Sequence, residues 1–383
     1  MVTTQTADNA LKSYYLGIVS DQLNLSVNPL LARIRQSTSD VWGKDVRKLV
    51  RYGVNGGVGA GTEEGALPAA GANRYAQFVA TLKNLYGTID ISDKAIRASA
   101  NNEGAFVNLL NDEMEGLVKS SSFNFGRMLF GDGTGKLAAI TAVSGTTYTV
   151  DSVKALAEGM IVDVYESASP IATARTVLSV DREGKKVVLS GESIAEGEGA
   201  AIVLQNSYGL EITGLGAIFS DSETLYGVSR ADNAWLKPYK QASVGEISET
   251  KIQTAIDKLE ENANSTVNFI VCSWGVKRAL AEKLSAYKQA ESMELEGGYR
   301  AMSFNGIPVV ADRFCPDGTM YLLNTDDFCL HQLCDWQWLE GEDGKILKQQ
   351  AGKPVYTATL VKYAELICSR PCGQAMLSGI TEA

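Results

Sequence analysis

Residues 46–91 constrain the fold more than any other part of this chain. Two strand-like segments there flank a glycine-rich run of about 20 residues, longer than the connections found inside compact domains. In VRKLVRYGV, Val46, Lys48, Val50, Tyr52 and Val54 alternate with Arg47, Leu49 and Arg51, and the returning YAQFVATLKNLYGTIDI is rich in aromatic and β-branched residues. Both patterns predict strands. Between them, NGGVGAGTEEGALPAAGAN carries Gly56, Gly57, Gly59, Gly61, Gly65 and Gly71 and almost no bulky apolar side chain, so it has nothing from which to build a core. The pattern predicts a projecting hairpin. A two-stranded ribbon is marginal by itself in water, so this one must rest on its own domain or on a neighbouring copy of the chain.

Composition narrows the class. With 45% hydrophobic and 21% charged residues over 383 positions, the chain is globular, with room for two or three domains. Apolar runs such as FIVCSW from Phe269 and LICS from Leu366 fall far short of the ~20 residues a membrane helix needs. The N-terminus MVTTQTADNALKS lacks a cationic region followed by an apolar one, so the expectation is a soluble chain without an export signal. A net charge of −10 argues against a dedicated nucleic-acid binder. Charge is uneven, however: up to residue 60 the seven bases Lys12, Arg33, Arg35, Lys44, Arg47, Lys48 and Arg51 outnumber the four acids Asp8, Asp21, Asp40 and Asp45.

Organisation changes several times along the chain. The first 45 residues read as an extended arm with helical pieces, because Leu11, Tyr14, Tyr15, Ile18 and Leu23 fall near helical spacing before Asn28-Pro29 interrupts ahead of LLARIRQ. After the hairpin, Phe106, Leu110, Met114, Leu117, Phe125 and Met128 recur mostly at steps of three and four. They predict a helix from Glu103 to about Phe130, roughly 40 Å long at 1.5 Å per residue, ended by GDGTG. In residues 137–206, ITAVSGTTYTV, GMIVDVYE, ATARTVLSVD, KKVVLSG and AAIVLQN are short strands separated by Gly, Ser and Asp turns, which suggests a small barrel or sandwich. Its acids outnumber its bases, which predicts a solvent-facing unit. Beyond it, SETKIQTAIDKLEENA and WGVKRALAEKLSAYKQ read as helices, and TVNFIVCS, FNGIPVVAD, TMYLLNTDDFCLHQL and YTATLVKYAELICSR as strands of a central sheet. Such mixing indicates an α+β fold.

Motifs for chemistry are sparse. Gly57-Val58-Gly59-Ala60-Gly61 has no helix after it to receive a pyrophosphate, and GDGTGK (Gly131–Lys136) is one residue short of a phosphate loop and follows a helix instead of preceding one. Both read as flexible or capping glycines. The sole histidine, His331, lies in an apolar strand-like run and reads as a core residue satisfied by a backbone group, so no Ser-His-Asp set is proposed. Cys329, His331, Cys334, Cys368 and Cys372 offer zinc-ligand chemistry, but C-x4-C and C-x3-C spacings in apolar runs favour small buried hydrophobes and reduced thiols. The pairs Glu63-Glu64 and Asp326-Asp327 read as solvated turn acids. DNAWLKPY and CDWQWLEG read as strand or interface anchors.

Taken in order, these parts resemble the HK97-like major capsid proteins of tailed bacteriophages. The phrases LYGTIDISDKAI before the helix, NFGRMLFGDGTG at its end, ETLYGVSRADNAWLKP after the barrel-like segment and NGIPVVADRFCPDGTMYLLN near the close carry the likeness. The resemblance implies an N-terminal arm over 1–45, an E-loop over 46–91, a P-domain with its spine helix over 92–136 and an inserted β domain over 137–206. P-domain strands over 207–239, an A-domain over 240–330 and a return to the P-domain over 331–383 complete it. It further implies a non-enzymatic subunit without a cofactor, assembled through hexamers and pentamers in a bacterial cytoplasm into an icosahedral head enclosing double-stranded DNA. A separate scaffolding protein and a portal would be its partners, with no membrane. An encapsulin shell enclosing a cargo enzyme is the alternative. Arg33, Arg35, Lys44, Arg47, Lys48, Arg51, Glu63 and Glu64 are the expected subunit-interface residues.

Overall fold

The structure, a computed structural model, describes residues 28–41, 43–94, 103–194, 197–285, 292–294, 300–341 and 344–383, with the backbone alone for 103–112, 285, 292–294, 300 and 301. The expected helical pieces at Leu11–Leu23 lie outside the described residues. The architecture is mixed α+β: two sheets, a long helix and a closed barrel.

The first sheet is organised by Val355–Cys368, a strand of 14 residues. It pairs antiparallel with Phe328–Trp338 on one edge and with Lys83–Ser92 on the other, and Arg35–Ser37 adds a parallel strand beyond Phe328–Trp338. Helix Glu103–Met128 (26 residues) lies on this sheet. Met114, Val118 and Phe125 are buried with Leu85, Leu330, Trp336, Leu360 and Leu366 in one cluster. At Gly87 a Cβ would meet Leu117 Cδ1 at 2.9 Å, so the absence of a side chain lets the helix close on the strand.

The second sheet has seven strands in the order Tyr239–Gln241, Ala375–Leu377, Met320–Leu323, Phe269–Cys272, Ile307–Ala311, Arg300–Phe304 and Ser292–Glu294. Helices Glu249–Ala263 and Trp274–Ser285 cover one face with Ile252, Leu259, Val276 and Leu280. Ser248 caps the first by accepting the Lys251 N–H. Phe269, Val271, Tyr321 and Leu323 on the other face join the cluster beneath the long helix. Buried on both faces, the central FIVC shows no alternation, as expected for a strand covered on two sides.

The expected single central sheet is therefore two. TMYLLNTDDFCLHQL breaks at Thr325–Asp327, where Asn324 Oδ1 accepts the Asp326 N–H, so its halves enter different sheets. Asp327 is not a solvated turn acid: its Oδ2 accepts from Arg370 Nε at 3.2 Å and Gln374 Nε2 at 3.0 Å, and burial raises its pKa despite Arg370. His331 also departs from expectation. It is buried, and neither ring nitrogen has a hydrogen-bond partner among the described residues; Nδ1 lies 3.9 Å from Asp40 Oδ2. Burial, seconded by the nearby Lys48 charge, lowers its pKa and keeps the ring neutral.

Six strands between Lys136 and Leu204 close into a barrel. Ile140, Tyr148, Val162, Val164, Val177, Val187 and Ile202 fill it. Buried Asp163 accepts the Ala174 and Asn206 N–H groups, each at 2.8 Å, at two positions with left-handed φ of 52° and 58°. The exit segment is gripped by the body. Buried Arg127, from the long helix, forms a two-pronged ion pair with buried Glu211, and Glu365 accepts the Thr213 N–H at 2.6 Å. Burial pushes the Glu365 carboxyl up to about 7. On another side, Lys154 of the barrel pairs with Asp317 and donates to the Cys315 carbonyl at 3.1 Å.

Candidate assembly surface

Strands Asp45–Tyr52 and Arg74–Thr81 pair antiparallel from Asp45↔Thr81 to Tyr52↔Arg74. The returning segment, read from sequence as one strand, divides at buried Leu82. Its N–H bonds the Lys44 carbonyl at 3.1 Å, and from Lys83 the chain joins the first sheet instead. The period of two assigns faces. Val46, Val50, Phe78 and Ala80 point inward and are buried, packed with Leu225, Tyr226, Leu236 and Ile367. The hairpin's base thus rests on its own chain.

Residues 224–236 form the cradle. Tyr226 and Gly227 turn a short hairpin between Thr224–Leu225 and Val228–Ser229, and the Tyr226 carbonyl accepts the Val79 N–H at 3.0 Å. The Tyr226 hydroxyl donates to the Leu366 carbonyl at 3.0 Å, which ties the cradle to the long strand of the first sheet. Trp235 lies flat against both strands of the ribbon, with ring centroids 4.9 Å from Tyr52 and 5.8 Å from Phe78 and interplanar angles of 11° and 9°. Such stacked pairs contribute about 0.5–1.5 kcal/mol each beyond their buried area. Trp235 was visible in the sequence as an anchor, but its partners were not. Tyr226 was missed, the one available signal being a Tyr-Gly turn between two short strand-like pairs.

Beyond Tyr52 the two arms run side by side without a core. A Cβ on Gly57 would sit 2.8 Å from the Gly71 nitrogen, so this approach requires glycine. The Gly65 N–H bonds the Thr62 carbonyl at 3.1 Å and closes a turn with Glu63 and Glu64, both exposed, at its centre. Val54, Val58 and Leu67 are 87%, 89% and 90% exposed. On the ribbon's outer face Leu49, Tyr75 and Val79 are also exposed, between Arg47 and Arg51. Fully burying one such aliphatic side chain yields about 1.5–3 kcal/mol, so this surface gains from being covered.

The expected interface residues divide by position. Arg33, Arg35, Lys44 and Arg47 are exposed at the root, Arg51 is exposed midway, and Glu63 and Glu64 are at the tip. Lys48 instead turns inward and is half-buried, near enough to His331 to depress its pKa. Asp40, also at the root, is held below the usual carboxylate range by the hydroxyls of Ser39 and Ser37. The structure brings no group of three or more His, Cys, Asp or Glu side chains together for a metal among the described residues. Cys272, Cys315 and Cys368 are buried with thiol pKa values raised by desolvation.

No protein-family model matches the chain, and no curated protein matches it in sequence. Among solved structures it aligns with a chain of the cyanophage A-1(L) capsid asymmetric unit at TM-score 0.54 and 13% identity, over 94% of this chain and 95% of that one. This chain has the HK97-like capsid fold. The capsid of Myoviridae phage XM1 aligns over 94% of this chain and 93% of that one at TM-score 0.47 and 11% identity. The SrpI encapsulin complex of Synechococcus elongatus PCC 7942 aligns over 93% and 89% at TM-score 0.46 and 10% identity. At such identities the likeness is one of fold. Within this capsid fold, no described helix is long and apolar enough to cross a membrane.

Proposed function

We propose that this chain is a non-enzymatic shell subunit, a major capsid protein that assembles through hexamers and pentamers into an icosahedral head around double-stranded DNA. The observation that carries the reading is the hairpin: its base is anchored in a cradle while its outer face and the Val54, Val58 and Leu67 side chains of its arms are left uncovered. In this reading residues 46–91 are the E-loop lying on an adjacent copy. Helix Glu103–Met128 is the spine of a P-domain that includes 92–136, 207–239 and 331–383. Residues 240–330 are the axial A-domain, and the barrel is an insertion. A scaffolding protein and a portal complete assembly. Exposed backbone and side chains on the ribbon supply strand-edge and apolar contacts, and the glycines let the tip adjust between copies in slightly different settings.

Electron microscopy of the protein expressed alone and with its neighbouring genes tests this. Closed shells containing DNA are the expected result, shells containing a protein cargo would assign an encapsulin role, and a persistent monomer with nucleotide-dependent melting would overturn both. Deleting Gly56–Gly71 should leave a folded monomer that no longer forms shells. Normal assembly of that variant would show that the hairpin is not needed between subunits.

A further inference from the structure

The hairpin is electrically polar along its length. Between Gly53 and Asn73 the only charged side chains are Glu63 and Glu64, adjacent and exposed at the end turn. At the opposite end Arg33, Arg35, Lys44 and Arg47 are exposed around the root, and none of the four has an ion-pair partner among the described residues. Two acids share that root, Asp40 and Asp45, so its exposed bases exceed its acids by four to two. The Ser39 hydroxyl donates to Asp40 Oδ1 at 2.9 Å, and the Thr81 hydroxyl donates to Asp45 Oδ1 at 3.1 Å. A surface cleft of about 460 Å³, lined by Asp40, Lys44, Asp45 and Arg47, opens between them.

One copy cannot neutralise its own ends. Fully extended, the ten residues from Gly53 to Thr62 reach at most about 33 Å, roughly four Debye lengths at physiological ionic strength, and neither Glu63 nor Glu64 forms an ion pair with a base of the root among the described residues. Opposite charges that do not meet within one copy are left for a neighbouring copy to pair. We propose that the glutamate tip of one copy seats against the arginine- and lysine-bearing root of the next. This deepens the shell reading and rests on it: it makes the hairpin contact directional, tip to root. Such a contact uses two different surfaces and closes into rings when the rotation between copies permits. Single exposed ion pairs contribute little, but like charges brought together at both ends of every contact oppose the wrong register, and each copy in a ring repeats the selection.

Charge reversal tests the pairing. Glu63→Lys with Glu64→Lys, and separately Arg35→Glu with Arg47→Glu, change exposed residues only, so each variant should remain folded by circular dichroism and lose shell formation. Placing all four reversals in one chain restores opposite charges between tip and root and should restore shells, which should exclude wild-type copies when the two are mixed. Tip reversal that leaves assembly intact would overturn the proposal, as would a fourfold variant as inactive as its parents. If the wild type forms no shells under any condition, the shell reading itself fails, an outcome distinct from either of those.

Discussion

The hairpin Asp45–Thr81 and the barrel Lys136–Leu204 are both all-β excursions from the same body, and they treat their strand edges in opposite ways. The barrel joins its first and last strands through Ile161–Glu166, Ala201–Leu204 and Lys136–Ser144, encloses its own apolar interior and leaves no edge unpaired. The hairpin has two strands, one buried face lent by residues 224–236, and a tip with no interior. A closed sheet satisfies itself. An open ribbon of this length leaves one face and its whole tip uncovered, and a neighbour that covered them would lower its free energy.

The contrast can be broken most severely inside the barrel. Tyr148 is 1% exposed and its hydroxyl accepts the Ile194 N–H at 3.0 Å. Tyr148→Ala should cost about 3–5 kcal/mol of barrel stability. Denaturant melts should show a separate early transition, while Trp235 and the hairpin it stacks on stay ordered. Loss of both together would show that the barrel is not self-sufficient.

The seam between barrel and body gives the next effect. Glu365, buried against the exit segment, has a folded pKa of about 7 against 4.5 for the free side chain. The folded state therefore holds its proton more tightly than the unfolded state. Stability falls as pH rises from about 4.5 to 7 and levels off above, by about 3 kcal/mol at 1.36 kcal/mol per unit. Glu365→Gln should flatten that slope in chemical melts run across the window. An unchanged slope would assign the titration elsewhere.

The smallest effect sharpens the hairpin's dependence on its cradle. Trp235→Ala should cost about 1–3 kcal/mol, the two stacking contributions, and leave the barrel untouched. Its readout is faster proteolytic cleavage between Tyr52 and Arg74 at unchanged barrel melting. Equal cleavage rates would mean that Leu225, Tyr226 and Leu236 suffice to hold the ribbon.

Legibility in the sequence followed the same division. Alternation at Val46–Tyr52 survives because one face of the ribbon is wet, and the barrel's short strands show for the same reason. The split at Leu82 was invisible: Thr81-Leu82-Lys83 contains no turn residue, and only the pairing partner changes there. Asn324-Thr325-Asp326-Asp327 did carry turn chemistry, but the partners that engage Asp327, Arg370 and Gln374, lie more than 40 residues along the chain and were not visible. The expected interface residues were legible as charges but not as positions. Lys48 differs from Arg47 and Arg51 only by the side of the ribbon on which the pleat places it.

Strand Val355–Cys368 pairs on one edge with a segment that lies more than 260 residues before it, a separation seen directly in the Thr357–Asp90 hydrogen bond. During synthesis the barrel has all its strands once residue 204 has emerged, whereas Lys83–Ser92 has no partner until the 350s and 360s leave the ribosome. At about 5–20 residues per second the delay is on the order of fifteen to fifty-five seconds. Through that interval the ribbon's base has no finished platform. The last long strand therefore acts as a clock: the ribbon's base has its complete platform only after residues 355–368 have been made.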